Sequence, residues 1–230
     1  FHTSRVQLEF IYAIADVKRA AAIAHKKAKE LDGEIADAIY AAGKEITDGK
    51  LDEQFPLPYF QGGAGTSINM NVNEVIALRA SELLQDKNVK VHPNDHVNMG
   101  QSTNDVNPSA LKIAALRLGN KFLESARELI SSLKKKALEY KSIPKLGRTH
   151  LQDAVTITFG DEFKSWADAL SCDEARIKTV LSSFEELNLG GTAVGNNINA
   201  SHMYISYVYE ELSSITGFSL RPGENLMSLT

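Results

Sequence analysis

Apolar residues recur at helical spacing over most of the chain. From about Gln7 to Leu31 they fall three and four apart among Ala, Lys and Glu, and Asp32-Gly33 supplies a stop, so the spacing predicts one helix. A second helix is predicted from about Glu34 to Gly49 and a third over Asn69 to Leu84. Between them, Leu51 to Ile68 collects prolines, glycines and aromatics without a period and reads as an ordered loop. From Pro108 to Tyr140 the positions Phe122, Ala126, Leu129, Leu133, Ala137 and Tyr140 keep one stripe on one face of a helix, which Pro144 ends. Such a helix is about 45 Å long. The same stepping returns at Phe159, Phe163, Trp166, Leu170, Ile177, Leu181 and Phe184, and again at Ile205, Val208, Leu212 and Ile215.

Long amphipathic helices in succession cannot bury their stripes in one small domain. They call for a long bundle, completed by further helices of the same chain or of other subunits. Few segments read as strands. The expected class is all-α, a small N-terminal helical domain followed by part of a long-helix bundle.

The 230 residues, 43% apolar, suffice for one large or two small globular domains. At a net charge of −4, with Lys and Arg scattered among carboxylates, the chain has no basic stripe for DNA or RNA. No apolar run approaches the roughly 18 to 20 residues of a membrane span, and no signal-peptide pattern opens the chain. A cytoplasmic protein without nucleic-acid or membrane partners is expected. The lone cysteine, Cys172, sits in a helical pattern and reads as a small packing residue. The start at Phe1 without methionine and the stop at Thr230 without a cap read as cut ends.

Four stretches between the helices are crowded with Gly, Ser, Thr, Asn and His. In Gln61–Asn71, glycines allow close approach to a ligand, and Thr66-Ser67 at a helix start offers hydroxyls and N–H groups that suit a carboxylate; such loops also simply cap helices. In His92–Asp105, the consecutive Ser102, Thr103 and Asn104 exceed what a cap alone needs. His92 and His96 are four apart, as in a metal pair, but Pro93 between them breaks a helical face and no third ligand lies nearby, so no metal is expected. In Gly147–Ala154, Thr149-His150 between Arg148 and Asp153 presents a hydroxyl and an imidazole, to a pocket or simply to solvent. The glycines of Leu189–Asn199 read as a device for close packing or a kink.

In this order the stretches QGGAGTSINMNVNEV, VHPNDHVNMGQSTNDV, GRTHLQDAV and LNLGGTAVG resemble the shared regions of the fumarase/aspartase superfamily. The resemblance runs from FIYAIADVKRAAA near the start to RPGENL near the end. Gly65-Thr66-Ser67 and Thr149-His150-Leu151-Gln152 are similar to the aspartate ammonia-lyase branch more than to the fumarate hydratases, which remain the alternative. A non-catalytic helical scaffold is the reading from another class.

The resemblance implies residues 1–106 as an N-terminal domain truncated at its start and 107–230 as the first part of a central bundle, with the C-terminal part absent. It implies a homotetramer whose active sites are shared between subunits, aspartate and fumarate as small-molecule substrates, and no cofactor. Thr66, Ser102 and Thr103 are then expected to hold the carboxylate that becomes an enediolate. Asn104 and His150 face the departing amino group, and Thr149 lies near the other carboxylate. His92, Asn94 and Asp95 match a peripheral carboxylate site of hydratases. The family's base, a serine on a loop with Gly-Ser-Ser, Met-Pro and Lys-x-Asn-Pro, has no counterpart in these residues, so a molecule ending at Thr230 is expected to be inactive. Asn107, Thr156, Asp161 and Asn196-Asn197 depart from the family's aromatic, Pro, Gln and Thr-Gly.

Overall fold

An alanine-rich helix can approach its neighbours closely, and α1, Leu8–Lys27, does so on nearly every side. It buries Ile11, Ile14 and Val17 together with Ala13, Ala15, Ala20, Ala21, Ala22 and Ala24, and packs against α2 (Gly33–Thr47), α3 (Thr66–Leu83) and α6 (His202–Thr216). Asp32 caps α2 by accepting the N–H groups of Glu34 and Ile35 at 2.9 and 3.2 Å. The computed structural model describes residues 4–61, 63–87 and 89–230; Gly62 of the glycine-rich stretch lies outside the described residues. They divide into two compact units, one running up to Ala114 and resuming at Phe184–Thr230, the other Ala115–Ser183.

In the first unit the starts of α3 and of the long helix α4, Thr103–Glu139, differ from the spacing. α3 begins at Thr66 behind Gly65, whose φ of 70° favours glycine. α4 begins five residues before the expected Pro108. A reciprocal cap explains the early start, since Ser102 Oγ accepts the N–H of Asn104 at 3.2 Å while Asp105 Oδ1 accepts that of Ser102 at 2.8 Å. Pro108 therefore lies inside the helix, where it has no N–H for the carbonyl of Asn104. Asn188 fills the gap with its side-chain amide at 3.0 Å. Two short strands, β3 (Glu186–Leu187) and β4 (Arg221–Pro222), pair in parallel beside this region.

In the second unit, α4 continues to Glu139, an antiparallel hairpin follows as β1 (Pro144–Thr149) and β2 (Gln152–Thr158), and α5 spans Phe159–Ser183. Thr158 and Asp161 cap α5 reciprocally, Thr158 N–H to Asp161 Oδ2 at 2.9 Å and Asp161 N–H to Thr158 Oγ1 at 3.0 Å, which accounts for an acidic residue at 161. Gly119 of α4 seats Leu181 of α5. The apolar stripe of α4 is only half of its apolar surface: Leu123 and Ile130 are buried, whereas the expected Phe122 and Leu129 are 56% and 50% exposed. Cys172 is exposed, not packed, because it lies about 140° around α5 from the buried Ala167. The all-α class holds, with the hairpin as its one sizeable β element among the described residues. No helix among these residues is long and apolar enough to cross a membrane.

Candidate active site

The second polar stretch is organised from below by α1. Lys18 is fully buried, and its ammonium donates to Asn98 Oδ1 at 2.7 Å and Gln101 Oε1 at 3.0 Å. Asn98 Oδ1 also accepts from the buried Asn69 and Asn73 of α3, at 3.3 and 3.2 Å. Gln101 Nε2 donates to the carbonyls of Val97 and Met99, both at 3.1 Å, which closes the turn before Ser102. Two helical turns further along α1, the buried His25 stacks on Tyr204 at 4.2 Å and contacts Glu30 at 2.7 Å and the Met99 carbonyl at 2.8 Å.

Asp105 fastens the fourth stretch to the second. Its Oδ2 accepts the N–H groups of Gly190 and Thr192, each at 3.0 Å, and Asn104 Nδ2 donates to the carbonyl of Ala193 at 2.8 Å. Burial lifts the Asp105 carboxyl to about 6 against these hydrogen bonds and the field of Lys18, and burial lowers the Lys18 ammonium to about 7. The fourth stretch, read as packing in the sequence, thus walls a cavity of about 530 Å3 with Asn94, Asp95, Gln101 and Ser102 on one side and Thr192, Val194, Asn196 and Asn199 on the other. Within the fourth stretch, between this wall's Asn196 and Ile198 in sequence, Asn197 adopts φ 62° where the resemblance has glycine, and its amide donates to the Gly190 carbonyl at 3.1 Å. Asparagine tolerates that conformation better than most side chains. The signal available in the sequence was the pair of asparagines in a glycine-rich loop.

The expected carboxylate-binding residues open onto different cavities of the first unit. Ser102 faces the cavity just described. Thr103 and Asn104 line a second, of about 480 Å3, with Gly63, Ala64 and Asn107. Thr66 lines a third, of about 460 Å3, with Gln61, Ser67 and Glu74. Asn107 ties the glycine loop to α4, donating to the carbonyls of Ala64 and Gly65 at 2.9 and 3.0 Å. This gives the departure at 107 a physical role. Thr103 Oγ1 accepts from Asn69 Nδ2 at 3.4 Å, which leaves its own proton to be donated elsewhere.

Asn94 and Asp95 lie on a single π-helical turn, Pro93–Val97, which His92 caps, and all three are exposed. His92 Nδ1 accepts the N–H groups of Asn94 and Asp95 at 3.3 and 3.1 Å, and the Asp95 carboxylate stands 3.2 Å from the same nitrogen. His96 Nδ1 accepts the N–H of His92 at 3.0 Å. Each imidazole thus caps backbone through one nitrogen.

Thr149 and His150 belong to the second unit, at the tip of the β1–β2 hairpin. Thr149 pairs with Gln152, so His150 and Leu151 alone form the turn, with φ of 47° and 61°. Two positive φ values mark a type I′ turn, which asparagine and glycine favour and leucine does not. All of this tip is exposed, Leu151 by 93%.

Residues 2–230 match the lyase family over nearly the full chain. The chain is 44% identical over 229 residues to the aspartate ammonia-lyase of Bacillus subtilis strain 168, covering 98% of this chain and 48% of that one. It is 46% identical over 224 residues to a class II fumarate hydratase of Thermus thermophilus, covering 96% and 48%. The crystal structure of a fumarate lyase:delta crystallin from Brucella melitensis bound to cobalt superposes with a TM-score of 0.90 at 46% identity, over 99% of this chain and 51% of that one. The chain therefore spans about half the length of the curated relatives it matches. With the ordered polar stretches, the all-helical architecture and these matches in agreement, the chain belongs to the lyase family, within the fumarase/aspartase superfamily.

Proposed function

We propose that the full-length protein is an ammonia-lyase that interconverts L-aspartate with fumarate and ammonia. The observation that carries the reading is the run Ser102-Thr103-Asn104 at the start of the 37-residue α4, more hydrogen-bonding side chains than its cap employs and braced by the network beneath. Removing a proton from C3 of aspartate is hard because the adjacent carboxylate is already an anion, so the charge must spread into an enediolate. Preorganised donors at those oxygens give the main stabilisation. Thr66, Ser102 and Thr103 take that part, aided by the positive end of a helix. Asn104 and His150 take the amino-group side, and Thr149 the other carboxylate. The proton-abstracting serine of the family has no counterpart in residues 1–230, so the reading concerns the full-length protein.

Gly65-Thr66-Ser67 and Thr149-His150-Leu151-Gln152 support the ammonia-lyase over the hydratase. The second reading, fumarate hydratase, is favoured by the slightly higher identity to the Thermus thermophilus enzyme, 46% against 44%. The ultraviolet absorbance of fumarate separates them. Loss of fumarate only when ammonium is present, and its appearance from aspartate, is the expected result. Loss without ammonium assigns the hydratase, and no change in either condition assigns a scaffold. We further read residues up to about Val106 as the N-terminal domain, and the exposed Phe122, Leu129 and Trp166 as surfaces covered in a homotetramer with shared active sites.

A further inference from the structure

Among the described residues, Lys18 is the one cation in the set of largest fully buried side chains, and its ammonium is held by two neutral amides. A buried ammonium held in this way is expensive to desolvate, and an uncharged side chain of the same length would fill the space at lower cost. Its partners show what the charge accomplishes. Asn98 and Gln101 are both fixed by the ammonium, and Asn98 Nδ2 donates in turn to the Gln101 carbonyl at 3.2 Å, the last carbonyl before Ser102. Asn69 then links Asn98 Oδ1 to Thr103 Oγ1. Because its oxygen accepts from Asn69, the Thr103 hydroxyl does not spend its proton on that bond and keeps it for a partner in the cavity that Thr103 lines.

We propose that Lys18 is a positioning residue for the lyase reaction: through Asn98, Gln101 and Asn69 it sets the 98–104 turn and aims the Thr103 hydroxyl as a donor to the substrate carboxylate. This rests on the reading of Ser102-Thr103-Asn104 as substrate contacts.

The test uses the full-length protein with Lys18→Met, Thr103→Val and the double variant, measuring kcat and KM with aspartate and with fumarate, with and without ammonium, and thermal melting. Lys18→Met is expected to lower kcat at least about tenfold while KM changes less, since misplacement of an orienting group by a fraction of an ångström costs mainly the chemical step. The two losses should be non-additive, the double variant being little worse than Thr103→Val alone. Wild-type kcat in a folded Lys18→Met, or fully additive losses, overturns the proposal. If Lys18→Met does not fold, Gln101→Met decides, because it removes one acceptor and leaves the lysine: a kcat loss of severalfold supports the proposal and an unchanged kcat defeats it. Should Thr103→Val itself leave kcat untouched, the substrate-contact reading fails instead, whatever Lys18 does.

Discussion

The side-chain amide of Asn188 donates to the carbonyl of Asn104 at 3.0 Å, in the place that the nitrogen of Pro108 leaves empty. A proline inside α4 is tolerated here because a residue far along the chain supplies the missing donor, and the same amide accepts from Ser109 at 3.2 Å. Replacing the buried Asn188 by leucine strands these groups and should cost about 1–3 kcal/mol, seen as a drop in melting temperature of about 2–4 °C per kcal/mol. Pro108→Ala restores a backbone N–H at the right place, so the double variant should recover part of the loss. Melting curves that show no recovery would sink this account of Pro108.

The pH dependence of stability follows from two buried groups of opposite sign. Lys18 titrates near 10.5 when unfolded and about 7 when folded, and Asp105 near 3.8 and about 6. Between 3.8 and 6 the folded form holds more protons at Asp105, so its contribution to stability falls as pH rises. Between 7 and 10.5 the unfolded form holds more protons at Lys18, so stability rises with pH. Their joint contribution is lowest between about 6 and 7. Lys18→Met abolishes the upper limb, so the melting temperature of the variant relative to wild type should be highest below pH 7 and decline toward pH 10. A difference that stays constant over that range contradicts burial as the cause.

Much of this was legible in the chain. The three-and-four spacing gave the long helices, and the polar stretches between them marked where Ser102, Thr103 and Asn104 stand. What escaped has physical reasons. Lys18 and His25 look like ordinary polar positions in an alanine-rich helix, and only the packing of α1 on every side reveals them as buried. Asp105 only closes the second polar stretch in the sequence, and its grip on Gly190 and Thr192 depends on contacts more than eighty residues apart. The hairpin carries no Asn-Gly signal at its turn, so His150-Leu151 gave no hint of strands.

Asn197 tests whether the departure from the family's glycine is compensated. An alanine at φ 62° meets the left-handed penalty and loses the bond to the Gly190 carbonyl. The combined cost should be about 2 kcal/mol. Asn197→Gly loses the bond but relieves the conformation, and should be near neutral. Chemical denaturation of both variants gives the comparison, and equal destabilisation by alanine and glycine would mean that the hydrogen bond, not the backbone, matters.

The turn at His150-Leu151 holds two side chains in a conformation that neither prefers, at φ 47° and 61°. Strain of this kind persists where the surroundings or the chemistry require it. Register fixes the turn at two residues, since Thr149 faces Gln152 and Arg148 faces Asp153. Leu151→Gly should therefore stabilise the hairpin by about 1 kcal/mol and slow amide exchange within the β1–β2 ladder. If the left-handed geometry serves to present the imidazole, the variant keeps that geometry and should retain activity in the full-length protein, whereas Leu151→Pro, which cannot reach positive φ, should lose it. Faster exchange in Leu151→Gly would show that the leucine side chain, 93% exposed here, holds the tip by a contact that the strained backbone serves.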